Sequence, residues 1–107
     1  MKKLESQEVD KLMPDLPHWV LDAAGGAISR EYVFADFVQA FGFMTQIALT
    51  AEKCNHHPEW RNVYQRVHIT WTTHDAEGLT VNDIAMAKFC DQAFVWYGGL
   101  AVPASKA

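Results

Sequence analysis

The sequence predicts an α+β domain in which helices cover one face of an antiparallel sheet. Two long segments, residues 36–55 and 80–97, carry apolar side chains at helical spacing. Residues 18–34 and 63–73 instead have strand-like patterns, and glycine pairs or prolines separate most of the segments. With a short helix near the N-terminus, the predicted order is helix, two strands, helix, one bent strand or two strands, and helix.

Composition limits the class of protein. The 107 residues suffice for one domain spanning residues 1–107, and half of them are hydrophobic, which favours a folded core. A net charge of -4 without a basic run argues against direct nucleic-acid binding. No apolar run is long enough to span a bilayer or to form a signal peptide, so we expect a cytoplasmic protein. Cys54 and Cys90 lie in separate predicted helices and are expected to be reduced thiols.

The N-terminal third predicts a helix followed by a hairpin. A short helix is expected from about Ser6 to Met13, because acidic residues lie near its start and a proline follows it. Residues 18–22 and 27–34 alternate like two strands, and the Gly25-Gly26 pair between them predicts a turn.

A long helix is predicted from Asp36 to about Asn55. Asp36 and Gln39 resemble a capping box at its start, and Pro58 cannot continue it. One apolar stripe at helical spacing is expected to face the core. Its residues are Phe37, Phe41, Met44, Ala48 and Ala51.

Residues 63–73 alternate in polarity, so they predict one long bent strand or two strands. The apolar parity of this segment, expected to face the helices, comprises Val63, Val67, Ile69 and Trp71. The other parity is polar and is expected to be open to solvent or a ligand.

The last helix is predicted to begin after Thr80, a good N-cap with Asp83 in the first turn, and to end at Gly98-Gly99. Residues from about 98 onward are expected to be loose. Apolar side chains cover more than half of the helix circumference, which one sheet cannot bury, so a partner subunit is expected on this helix. These side chains are Ala85, Met86, Phe89, Cys90, Ala93, Phe94, Trp96 and Tyr97.

Three histidines form the main chemical feature. His56 and His57 lie at the end of the long helix, where neighbouring side chains point about 100° apart and can reach one small substrate from two directions. His74 follows a strand and precedes a turn. Imidazoles exchange protons near neutral pH, so the set indicates acid-base chemistry. Solvated loop histidines are the simpler interpretation, and zinc is disfavoured because adjacent histidines splay apart and only Cys54 adds a thiolate.

Other polar and aromatic residues are weaker candidates. Glu52 lies four residues before His56, so it either makes a surface contact or orients an imidazole. The residues expected to be structural are Lys53, Glu59 and Asp83, and those expected to be non-catalytic are His18 and His68. The tryptophans expected in the core or an interface, with stacking on a flat heterocycle as the alternative, are Trp19, Trp60 and Trp71.

Taken together, the sequence resembles the pterin-4a-carbinolamine dehydratase family, whose animal members also act as dimerization cofactors of a homeodomain transcription factor. The resemblance extends from about Leu12 to Phe94. Its motifs are Phe34-x-Asp36-Phe37, Ala40-Phe41-Gly42-Phe43-Met44, the block from Glu52 to Trp60, Asn62-Val63-Tyr64, Val67-x-Ile69, Thr73-His74-Asp75 and Gly78-Leu79-Thr80-x-x-Asp83.

This resemblance implies an antiparallel four-stranded sheet with three helices packed on one face, in the order α-β-β-α-β-β-α, assembled as a homodimer or homotetramer. It implies dehydration of 4a-hydroxytetrahydropterin to quinonoid dihydropterin, which recycles the cofactor of aromatic amino-acid hydroxylases. The family reaction needs no metal and no organic cofactor.

By the same resemblance, His56 and His74 are the acid-base candidates, and His57, the third histidine of the catalytic set, holds the pterin. The implied substrate-binding residues are Glu52, Asn55, His56, His57, Pro58, Thr72, Thr73, His74 and Asp75. Asn55 stands where some relatives carry aspartate, which changes the local charge.

Two other functions compete with the dehydratase. The first is an oligomeric binding module that stabilises a transcription-factor dimer, in which case the protein would also be nuclear. The second is a metal-dependent hydrolase, which the histidine spacing disfavours.

Overall fold

Four strands form one antiparallel sheet in the order β1-β2-β4-β3 in the computed structural model, which describes residues 1–97. Three helices complete the predicted α+β fold, so the fold class, the strand number and the helix number are confirmed. The elements are α1 Ser6–Leu12, a 3-10 turn Met13–Asp15, β1 Val20–Leu21, β2 Ile28–Val33, α2 Phe37–Cys54, β3 Glu59–Val63, β4 Arg66–Trp71, a 3-10 turn His74–Ala76 and α3 Val81–Trp96. Gly98-Gly99 and the tail lie outside the described residues.

The strand-like segment 63–73 belongs to two strands joined by a tight turn at Tyr64 and Gln65. Tyr64 has a left-handed backbone, with φ of 52°. The turn changes the parity of the side chains, so Val63 pairs with Arg66 on the open face and is 65% exposed. The expectation that Val63 shares a face with the buried Val67 is therefore wrong, because alternation does not continue through a two-residue turn.

Helix α2 begins as predicted and buries a different stripe. The Asp36 carboxylate accepts a hydrogen bond from the Gln39 backbone N–H at 2.8 Å, while the Gln39 side chain accepts from Ala35 N–H. The buried residues are Ala40, Phe43, Ile47 and Ala51. The predicted stripe is wrong at Phe37, Phe41 and Ala48, which are exposed. Both stripes satisfy the helical period because α2 is apolar on two faces.

Helix α3 begins with the predicted cap, in which Thr80 and Asp83 form a reciprocal capping box. Its apolar arc is buried within the chain only in part, where α2 packs beside α3 over the sheet, and its buried members are Met86, Cys90 and Ala93. Phe94 lies 4.8 Å from Tyr32 and 5.3 Å from Phe34 between ring centroids. The oligomer interface expected on α3 stays a prediction, since Trp96 is still 58% exposed on this helix.

Asp91 links α3 to the sheet through a partly buried polar cluster. Its carboxylate accepts hydrogen bonds from Trp19 Nε1 at 3.0 Å, from Arg30 at 2.6 Å and from the Tyr32 hydroxyl at 2.5 Å. The Arg30 guanidinium also stacks 4.3 Å over the Tyr32 ring. Burial is the main cause that raises the pKa of Tyr32, so this hydroxyl stays a hydrogen-bond donor. No helix within residues 1–97 is both long and apolar enough to cross a membrane.

Candidate active site

The three predicted histidines meet at one cleft of about 340 Å³. The end of α2 supplies one wall, and the segment after β4 supplies the other. The lining residues are Asn55, His56, His57, Thr72, Thr73, His74 and Asp75. Seven of the nine residues implied by the family resemblance therefore line one cleft, while Pro58 and Glu52 do not.

The other cavities contain fewer side chains suited to acid-base chemistry. A larger groove of about 440 Å³, between the N-terminal segment and β1, contains no imidazole. A cleft of about 410 Å³ shares Thr72, Thr73 and His74 with the histidine cleft and adds Glu59. The histidine cleft is the only one of these three that contains more than one imidazole.

A left-handed residue directs the chain into the cleft. Asn55 has φ of 52° and ψ of 43°, and its backbone N–H still bonds to the last turn of α2. Asparagine adopts this conformation more readily than most residues other than glycine. The His56 backbone N–H bonds to Ala51 oxygen at 3.0 Å, so the turn that ends α2 also fixes where the histidine pair begins.

His56 is the most constrained of the three histidines. Its Nε2 lies 2.5 Å from Asp83 Oδ1, and the two side chains are 11% and 0% exposed. Asp83 Oδ2 accepts from Thr73 Oγ1 at 2.7 Å and from Thr80 N–H at 2.9 Å. The Trp71 indole stacks on the His56 ring. Within residues 1–97, the contact with Asp83 is made through Nε2 and leaves Nδ1 of His56 available to a ligand.

His57 and His74 also pair with carboxylates, but near the surface. His57 Nε2 lies 2.8 Å from Glu52 Oε1, and His74 Nε2 lies 2.7 Å from Glu59 Oε2. These side chains are all more than half exposed. Ion pairs of this kind contribute about 0–1 kcal/mol, so they hold the two rings less firmly than Asp83 holds His56.

Two assignments of partners change. Glu52 lies four residues before His56, but α2 ends at Cys54, and the left-handed turn at Asn55 brings His57 to Glu52 instead. Glu59 was expected to be structural and contacts His74.

The contact of Asp83 with His56 is the feature of the cleft that the sequence does not predict. The capping box that it forms with Thr80 accounts for a carboxylate at that position, so nothing local signals a second partner. His56 lies 27 residues earlier in the chain. The expectation that Asp83 is structural was correct for the cap and missed the imidazole.

The donor set suits proton transfer. Within residues 1–97, no cluster of three or more histidine, cysteine, aspartate or glutamate side chains could hold a metal ion. Each imidazole of the cleft is bonded to its own carboxylate, which orients the ring and leaves the second nitrogen for a substrate.

The chain is similar to a group of bacterial proteins. A family model described as pterin 4 alpha carbinolamine dehydratase matches residues 2–93. A protein of Burkholderia orbicola (strain MC0-3), named "Putative pterin-4-alpha-carbinolamine dehydratase", is 56% identical over 91 residues, which are 85% of this chain and 89% of that protein. A protein of the same name from Rhizobium johnstonii is 54% identical over 93 residues, which are 87% of this chain and 92% of that protein.

A solved structure is also similar. The crystal structure of a transcriptional coactivator/pterin dehydratase from Brucella melitensis superposes with a TM-score of 0.83 at 42% sequence identity. The match covers 86% of this chain and 98% of that chain. The helices, the strands and their order therefore recur in a protein of known structure.

Proposed function

The chain belongs to the pterin 4 alpha carbinolamine dehydratase family, and we propose that it converts 4a-hydroxytetrahydropterin to quinonoid dihydropterin and water. The observation that carries the proposal is the set of three histidines around one cleft, each with a carboxylate on Nε2. In the cytoplasm this reaction would recycle the cofactor of aromatic amino-acid hydroxylases. It needs no metal and no organic cofactor.

The reaction requires two proton transfers. The bond between carbon 4a and its hydroxyl oxygen breaks, and the departing hydroxyl takes a proton to leave as water. The adjacent ring nitrogen loses its proton as the new carbon–nitrogen double bond forms. One acid and one base on the two sides of a small heterocycle satisfy this balance, and imidazoles serve both roles near neutral pH.

His56 is the first of the two proposed proton carriers. Asp83 engages Nε2, so Nδ1 is the nitrogen that exchanges a proton with the pterin. Its ring is nearly buried and held on one edge and one face, which favours a fixed attack geometry.

His74 is proposed as the second carrier, and His57 as the residue that holds the pterin. Both rings are exposed and stand on different walls of the cleft, so they can adjust to the bound substrate. Their carboxylate partners, Glu59 and Glu52, orient the rings in the free protein.

The threonines of the cleft are proposed to shape its walls rather than to bind the pterin, because their hydroxyls bond within the protein. The Thr72 hydroxyl donates to Gly26 oxygen at 2.6 Å, and the Thr73 hydroxyl donates to Asp83. The Thr73 backbone is paired with Gly78. The polar edge of the pterin is therefore left to Asn55, Asp75 and the imidazoles.

A dehydration assay tests this function. Purified protein would be mixed with 4a-hydroxytetrahydropterin generated in situ, and the appearance of quinonoid dihydropterin followed by absorbance. We expect a rate well above the uncatalysed reaction, unchanged by a chelator. The variant with both His56→Ala and His74→Ala is the control for background dehydration. A folded wild-type protein with only the background rate would disprove the proposal.

A second candidate function is partner binding through α2, which exposes four large apolar side chains. This surface, the α2 outer face, consists of Phe37, Val38, Phe41 and Leu49. Exposed apolar clusters on soluble proteins mark interaction sites. We propose a second copy of this chain as the occupant, so that α2 joins α3 as a contact of the expected homodimer or homotetramer. The Brucella melitensis protein is described as a transcriptional coactivator as well as a pterin dehydratase, which makes a transcription factor the alternative occupant.

A further inference from the structure

A buried tryptophan covers one face of His56. The ring centroids of Trp71 and His56 lie 5.5 Å apart, and the ring planes differ by 15°. Trp71 is the last residue of β4 and is 0% exposed, immediately before the cleft residues Thr72 and Thr73. The imidazole is therefore held at Nε2 by Asp83 and across its plane by the indole.

The indole Nε1 is a buried polar atom that lacks a good hydrogen-bond partner in the described part of the chain. Trp71 Nε1 is buried and has no hydrogen-bond partner of ordinary geometry among residues 1–97. The Cys90 thiol interacts with this side chain: burial raises the pKa of Cys90 to about 12, and a hydrogen bond from the Trp71 side chain lowers it in part. Sulfur is a weak acceptor, so this contact only partly satisfies the N–H.

A buried N–H without a good partner destabilises a fold, and a leucine or phenylalanine would fill the same part of the core without one. A tryptophan at this position therefore needs to provide a compensating advantage. The benefit visible in the structure is the flat surface that the indole presents to His56.

We propose that Trp71 is a positioning residue that fixes the plane of the His56 ring by stacking, so that Nδ1 stays directed at the substrate. This inference rests on the proposed dehydratase function. Asp83 holds the imidazole only at Nε2, so the plane of the ring could still rotate. Stacking on the indole restricts this rotation. A misplacement of about 1 Å at a reacting group costs about 100-fold in rate, so a fixed ring plane has a large effect on turnover.

Two substitutions separate positioning from core packing. Trp71→Phe keeps a flat ring and removes the N–H, whereas Trp71→Leu fills space without a plane. We expect Trp71→Phe to retain kcat within about threefold and Trp71→Leu to lose about 10- to 100-fold in kcat with little change in KM. Trp60→Leu on the neighbouring strand is the matched control, because it makes the same chemical change away from the histidine cleft and should leave kcat unchanged.

Ring orientation can be measured without any activity. An indole face shifts the carbon-bound protons of a stacked imidazole upfield in NMR spectra. In the full-length protein, we expect this shift for His56, assigned by its loss in His56→Gln, and not for the exposed His57. The shift should be smaller in Trp71→Phe and absent in Trp71→Leu.

The two readouts distinguish the failure of this inference from the failure of the proposed function. Unshifted His56 protons in the wild-type protein, or wild-type kcat in a folded Trp71→Leu protein, would overturn the positioning role and leave the dehydratase intact. A wild-type protein without dehydratase activity would overturn the proposed function, and the positioning of the His56 ring would then be judged by the NMR shift alone. Should Trp71→Leu fail to fold, the Trp71→Phe protein decides, because a His56 shift that is lost there while kcat stays at the wild-type value would contradict positioning by a stacked ring.

Discussion

Asp83 contacts His56 with one carboxylate oxygen and caps its own helix with the other. The start of α3 and the most constrained imidazole of the cleft therefore share one buried side chain. Thr73, which lines the cleft, donates to the same carboxylate, so two walls of the site are joined through it.

Replacing His56 or His74 with alanine should reduce turnover and leave the fold intact. General acid-base groups contribute about 100- to 10,000-fold, and the two losses should be less than additive if both residues act in one proton-transfer sequence. Steady-state kinetics on the single and double variants, with circular dichroism as the check on folding, measure this. Unchanged turnover in both single variants would remove the acid-base assignment.

Asp83→Ala should reduce both stability and turnover. Loss of the cap and of a buried hydrogen-bond acceptor should lower the free energy of unfolding by about 1–3 kcal/mol, and His56 loses its partner. Asp36→Ala is the control: it removes the cap of α2, about 27 Å of helix away from the cleft. It should cost stability and spare kcat. A proportional loss of kcat in both variants would indicate a purely structural role for Asp83.

The purified protein should keep its activity after treatment with a chelator. The cleft pairs each imidazole with a carboxylate, and proton transfer alone balances the proposed reaction. Metal analysis before and after dialysis against the chelator, together with the dehydration assay, measures this. Stoichiometric zinc whose removal abolishes turnover would favour the hydrolase interpretation.

Phe41→Glu should weaken self-association. Phe41 is 57% exposed on the α2 outer face, and a charge there would be buried unpaired in an interface between two copies. Val81→Glu, at an exposed position of α3, is the matched control and should leave assembly unchanged. Sedimentation at micromolar concentration measures the oligomeric state, and a wild-type monomer of about 12 kDa would contradict the oligomer proposal.

A thiol reagent should modify Cys54 and spare Cys90 in the folded protein. Cys54 is exposed, whereas burial raises the pKa of the Cys90 thiol from 9.0 to about 12. Mass spectrometry should show one label at pH 8 in native protein and two after unfolding; Cys54→Ser should show none until unfolding. The sign of the shift also predicts that the Cys90 contribution to stability is complete below pH 9.0 and is lost as pH rises toward 12. Rapid double labelling of native protein would contradict this burial.

Features set by neighbours in sequence could be predicted. The caps of α2 and α3 depend on side chains three residues apart, so Asp36, Gln39, Thr80 and Asp83 identified both helix starts. The two segments of the cleft were also predicted, because helix and strand ends carry the histidines and the family resemblance joined them.

Features set by distant packing could not be predicted. An α2 with two apolar faces gives two stripes of equal periodicity, and only the position of α3 and the sheet decides that Phe43, and not Phe41, is buried. The contact of His56 with Asp83 depends on how the end of α2 meets the start of α3. No pattern of neighbouring residues in the sequence predicts this contact.

A substitution at Asn55 can change the charge of the cleft without changing its backbone geometry. The left-handed backbone of Asn55 suits asparagine and aspartate alike. Asn55→Asp would therefore add one negative charge to the lining of the histidine cleft without redirecting His56. The charge of the cleft can therefore change at this one position while each of the three imidazoles keeps its contact with a carboxylate.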